Sequence, residues 1–144
     1  MLLKLRQRMA SEESGFTLVE LLVVMLILGL LAAIAIPSFF NQRDKAKDAS
    51  AKEAVRTAET AMETYATDHD GAYTGATAGA LQTIESTLNN ATLSIPTVAA
   101  DHYTVRVTSS TGNTFDISRA ATGITTLTCA TANSAGCPAN GTWG

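Results

Sequence analysis

The chain has 144 residues, 46% of them hydrophobic and 6% aromatic, with a formal net charge of −3. That length points to one domain, and so mild an acidity leaves no electrostatic footprint for nucleic acid. The only histidines, His69 and His102, stand in no metal-ligand spacing, and no nucleophile–base–acid constellation or phosphate-cradling glycine loop occurs. An enzyme is therefore not expected, and no cofactor or metal is called for.

Residues 1–15 carry Lys4, Arg6 and Arg8 against Glu12 and Glu13. An ordinary secretory signal has an apolar segment ahead of its cleavage site. Here the apolar segment comes after small Gly15 and would stay on the product. It begins at Gly15-Phe16-Thr17-Leu18-Val19-Glu20, and residues 21–40 hold no charged side chain. That is about the ~20 residues a helix needs to cross a bilayer. Glu20 stands at its N-terminal end; a carboxylate at the centre of such a span costs roughly 2.5–3.5 kcal/mol even on lenient insertion scales, and one drawn into an apolar surrounding is costly too. It calls for a partner. Cutting between Gly15 and Phe16 would create an α-amino group four residues away on the same helical face. The amine and the acid could pair within one chain or between neighbouring copies. The second arrangement makes the helix a polymerisation device.

Gly29 and Pro37 weaken the span, and a kink or break is expected near Ile34–Pro37. The alternative is that both residues only tune helix packing, as they do in membranes. From residue 41 to about Thr67 the helical period continues in a more polar register. Ala51, Ala54, Val55, Ala58, Ala61, Met62 and Tyr65 form one narrow apolar stripe. Asp48 with Lys52, and Glu53 with Arg56, are expected to support the solvent side. Asp68-His69-Asp70-Gly71 should end the helix, with Gly71 as a left-handed stop.

Residues 72–100 are the least legible. Thr77 is suited to cap one short helix through Ala80, Leu81, Ile84 and Leu88, stopped by Asn89-Asn90. Tyr103, Val105 and Val107 alternate with polar neighbours as in a half-buried strand. Residues 109–113 read as a hairpin loop, Phe115 and Ile117 as the next strand, residues 120–123 as a turn, and residues 124–129 as a third strand. Such a sheet of three or so strands would lie on the alanine-rich stripe. Cys129 and Cys137 read as a disulfide closing a short loop in an exported chain. The alternative, two thiols on a metal, lacks a nearby histidine or further cysteine. Trp143 is free either to fold back over the sheet or to remain exposed.

The run Gly-Phe-Thr-Leu-Val-Glu at 15–20, followed by an apolar stretch containing Gly29 and ending near Pro37, resembles the N-terminus of type IV pilins. The resemblance covers about the first half of the chain, to Tyr73. It implies an α+β fold, with a long N-terminal helix packed on a small C-terminal antiparallel sheet. The implied layout is a cleaved class III leader at 1–15, a transmembrane and assembly segment at 16–40, and a soluble head at 41–144. It further implies cleavage by a prepilin peptidase and methylation of the Phe16 amine. Glu20 would then serve assembly, and Gly29 and Pro37 would mark a helix break on packing. The implied partners are membrane lipid, an assembly platform and further copies of the chain. The prepilin would span the cytoplasmic membrane with its N-terminus inside, then join an extracellular pilus used in adhesion, motility or DNA uptake. A pseudopilin of a type II secretion or competence system is the nearest alternative. Pseudopilins of secretion carry acidic calcium-binding loops towards the C-terminus, whereas no Asp or Glu follows Asp116 here. A non-polymerising, membrane-tethered adhesin is the alternative from another class.

Overall fold

The computed structural model describes residues 15–144. The proposed leader, up to the residue before Gly15, lies outside the described residues. Two compact units divide the chain between Phe39 and Phe40. Helix α1, Leu18–Thr67, contributes to both. It is followed by α2 (Ala78–Ile84), a 3-10 helix (Ser86–Asn90), and strands β1 (Thr92–Val98), β2 (Tyr103–Thr108), β3 (Thr114–Arg119) and β4 (Thr125–Cys129). The fold is α+β, with all four strands antiparallel in the order β1-β2-β3-β4.

In the first unit, α1 runs through Gly29 and Pro37 without interruption. Of the kink or break expected near Ile34–Pro37, a break is absent, since helical geometry continues across Pro37 although proline lacks an N–H for the ladder and crowds the carbonyl of the preceding turn. Every large apolar side chain from Phe16 to Phe40 is exposed, from 46% at Val24 to 76% at Phe16.

In the second unit the predicted stripe is the core. Ala51, Val55, Ala58, Ala61, Met62 and Tyr65 are buried on one face of α1. Against them lie Tyr103, Val105 and Val107 from β2 and Phe115 and Ile117 from β3. The alternation of the two strands aims these five inward and leaves Thr104, Arg106, Asp116 and Ser118 on the outer face. There Arg106 makes a two-pronged contact with Asp116 at 2.7 and 2.6 Å. The helix ends as expected: Gly71 takes a φ of +82°, and its N–H returns to the Ala66 carbonyl at 2.8 Å.

Three features depart from the sequence reading. The single helix expected up to Leu88 is two pieces, because Glu85 leaves helical geometry (φ −130°, ψ 100°) and caps the 3-10 helix with its own carboxylate. Thr77 does cap α2, accepting from the Ala80 N–H at 3.2 Å. A fourth strand, β1, occupies part of the stretch that seemed unreadable, and its pairing with β2 shifts register between Ser94 and Thr97, around Pro96. A proline without an N–H is tolerated at such an edge. Finally, Asp48 is not on the solvent side: it is fully buried.

The opposite sheet edge is covered by the chain's own tail. Cys129 N–H donates to the Gly141 carbonyl at 2.9 Å, and Trp143 Nε1 donates to the Thr128 carbonyl at 2.8 Å. Trp143 is thereby folded back, edge-on to Phe115 with ring centroids 5.8 Å apart. Such a strap blunts an edge that would otherwise recruit other strands.

Candidate functional site

The N-terminus of α1 is built from Thr17-Leu18-Val19-Glu20. Thr17 stands just before the helix, and its hydroxyl accepts the Glu20 N–H at 3.2 Å while its carbonyl accepts the Leu21 N–H at 3.2 Å. A threonine followed three residues later by glutamate is the pattern of a capping box. The position also favours an acid, since the helix dipole presents its positive end there. Among the described residues, no side chain reaches the Glu20 carboxylate. Gly15, Phe16 and Glu20 are all exposed.

Beyond this cap lies a helical stretch with a mean hydropathy of 2.9 over 18 residues, none of it buried. It is long and apolar enough to cross a membrane. A contiguous apolar surface of this extent needs lipid or protein over it. Gly29 opens a notch on that surface: a Cβ added there would meet nothing within 4 Å. Among the described residues, no packing requires that glycine.

Two polar clusters organise the head. In the first, the buried Asp48 accepts from Thr111 Oγ1 at 2.5 Å, Asn113 Nδ2 at 2.7 Å and the Gly136 N–H at 2.9 Å. Burial alone would raise its pKa. The bonds from Thr111, Ser109, Asn113 and Gly136 together outweigh that and hold it below the usual carboxylate range. In the second, Glu63 accepts from both Tyr73 and Tyr103, and Arg119 Nε lies 3.6 Å from the same carboxylate. Burial, then the bond to Glu63, pushes both phenols up.

Cys129 and Cys137 are joined as a disulfide with Cα atoms 5.8 Å apart, closing β4 onto the tail. His69 stacks on Tyr65 at 3.8 Å, and its Nδ1 lies 2.8 Å from the Tyr65 carbonyl, so it belongs to the helix end. Among the described residues, no three His, Cys, Asp or Glu side chains gather to hold a metal. A groove of about 720 Å³ between α1 and the β1–β2 edge has Ala51, Ala54, Leu88 and Val107 along it, with Lys47 and Glu53 among its polar lining.

Of the residues singled out in the sequence, Gly15, Phe16 and Glu20 come together at one helix start, and Gly29 and Pro37 lie farther along α1. Cys129 and Cys137 are bonded in the head. The sequence reading placed Asp48 on the solvent side and missed Glu63. The signal for Asp48 was its spacing, three and seven residues before Ala51 and Val55, which places it on the buried stripe.

An apolar, membrane-capable helix with a capped acidic start, carrying a small α+β head, defines the class. The motif described as the prokaryotic N-terminal methylation motif matches residues 11–36. The chain is 36% identical over 90 residues to the type IV wide pilus major component PilA4 of Thermus thermophilus, covering 62% of this chain and 68% of that protein. It is 40% identical over 58 residues to the type II secretion system core protein G of Pseudomonas aeruginosa, covering 40% and 41%. With the type IV major pilin protein PilA of Myxococcus xanthus the identity is 38% over 63 residues, covering 44% and 29%. The matches to these last two span less than half the length of either relative. No solved structure gives a significant match. The chain belongs to the family of type IV pilins and their pseudopilin relatives.

Proposed function

We propose that this chain is the structural subunit of a type IV pilus. A prepilin peptidase cuts between Gly15 and Phe16, the new Phe16 amine is methylated, and an assembly platform draws the subunit from the membrane. Residues 16–40 then bundle in the filament core, while the head at 41–144 faces outward. Glu20 of one copy neutralises the Phe16 amine of the next, which removes the cost of a lone carboxylate in an apolar interior. Gly29 lets neighbouring helices approach closely. Pro37, which offers no N–H, is where α1 yields if the filament demands it.

One observation carries the pilus reading. The 90-residue match to a pilus component is longer than the 67 residues up to the end of α1, so it takes in part of the head beyond the helix as well. A second reading, a pseudopilin of a secretion or competence system, is supported by the 40% identity to a type II secretion core protein. In neither reading is the chain an enzyme. Electron microscopy of cells expressing the wild type or Glu20→Ala tests the proposal. Long surface filaments that disappear with Glu20→Ala are expected. Surface adhesion that persists in Glu20→Ala cells without filaments would instead identify a tethered adhesin.

A further inference from the structure

Three segments far apart in the sequence converge on the Asp48 carboxylate: helix α1 itself, the β2–β3 hairpin tip and the disulfide loop. From the tip come Thr111 and Asn113, and from the loop comes the Gly136 N–H. The tip and the loop also bond to each other, because Asn113 Nδ2 donates to the Ser134 carbonyl at 3.1 Å as well as to Asp48. Ser134 in turn accepts the Cys137 N–H at 2.9 Å. Gly136, the donor to Asp48, is thus the residue next to a disulfide cysteine.

The fit at Gly136 is close. A Cβ placed there would lie 2.5 Å from the Asp48 Cβ. Within the same loop Ala135 holds a φ of 48°, a region that alanine disfavours, whereas Asn133 at 58° is of a residue type that tolerates it. Ala135 is therefore not in a conformation the free chain prefers; the cross-link closes the loop, and the Asp48 carboxylate holds it beside Cys137.

We propose that the Cys129–Cys137 ring and the buried Asp48 form one coupled latch. Closing the disulfide seats the tail on α1 and fixes the hairpin tip, so the head completes its fold only where its cysteines can be oxidised. Coupling of this kind is reciprocal. If the closed ring favours the docked carboxylate, the docked carboxylate must resist opening of the ring by the same factor. The inference concerns the head alone and stands whichever filament the subunit joins.

The test is a redox titration of the full chain in detergent micelles with dithiothreitol. The reagent passes two electrons and two protons to the disulfide, leaving two cysteine thiols and its own cyclic disulfide. Asp48→Asn and Gly136→Ala are each expected to be reduced at a roughly tenfold lower ratio of dithiothreitol to its cyclic form, about 30 mV for a two-electron couple. In the wild type, reduction is expected to speed hydrogen exchange at the Ser109, Gly112 and Asn113 amides about tenfold, although none of them lies in the ring. Gly136→Ala leaves the charge untouched, so it carries the test if Asp48→Asn does not fold. Unchanged reduction ratios in the folded variants, or hairpin amides indifferent to reduction, would overturn the proposal.

Discussion

Glu63 gives the sharpest stability prediction for the head. Its carboxylate accepts from Tyr73 Oη at 3.0–3.1 Å and from Tyr103 Oη at 2.9 Å. Both tyrosines are buried, and their rings meet edge to face at 4.7 Å. Glu63→Ala therefore leaves two buried hydroxyls without their acceptor. A hydrogen bond to a charged group contributes roughly 1.5–3 kcal/mol. The Glu63 side chain is 45% exposed, so water refills part of the vacated space and the lower end of the doubled range applies. The Arg119 contact, at 3.6 Å and partly solvated, adds at most about 1 kcal/mol. The expected loss is about 3 kcal/mol, which lowers the urea midpoint by about 2 M at a slope near 1.5 kcal/mol/M. Trp143 is the only tryptophan and packs on Phe115, so its fluorescence reports the head of the full chain in nonionic detergent. In a Tyr103→Phe background, the same Glu63 substitution should cost at least about 1 kcal/mol less. A loss under about 0.5 kcal/mol, or no coupling between the two sites, would refute this account of the cluster.

Other outcomes follow from the same structure. Phe115→Ala, which empties a fully buried position beneath Trp143, should cost about 3–5 kcal/mol in the same urea assay. The pH dependence of stability is set in part by Asp48. Its folded pKa is held below the unfolded value of about 3.9, so its contribution is present above that value and lost as pH falls towards the folded one. The stability difference between wild type and Asp48→Asn should accordingly narrow between pH 5 and pH 3. Glu59, raised by burial, acts in the opposite sense but cancels in that comparison. A difference that stays constant across the window would contradict the depressed pKa.

The helix and the two central strands were legible because their periods are clean. Ala51 to Tyr65 repeats at helical spacing, and Tyr103, Val105 and Val107 alternate with the polar Thr104 and Arg106, so burial follows directly from pattern. Strand β1 was hidden by Pro96, which marks a loop in most contexts and here sits at an edge where no N–H is needed. Leu93 and Ile95 do alternate, and both pack partly into the core. Asp48 was misjudged for a different reason. Its spacing places it on the stripe, but Lys52 one turn later suggested a solvent pair. Lys52 instead sits over the rings of Phe115 and Trp143 at 5.4 and 5.7 Å, and the nearest of the partners that hold Asp48, Ser109 and Thr111, are already far along the chain, Thr111 by 63 residues. Local spacing does not encode contacts of that kind. At the N-terminus, the apolar run and the acid were plain in the sequence, while the Thr17 cap needed the geometry.

The central claim is that a newly made Phe16 amine on one copy meets Glu20 on another. The most direct measurement is the intact mass and N-terminal sequence of the subunit in filaments sheared from cells. The account predicts a chain beginning at Phe16, one methyl group heavier than the unmodified form. Assembled filaments in which the chain still begins at Met1 would contradict it.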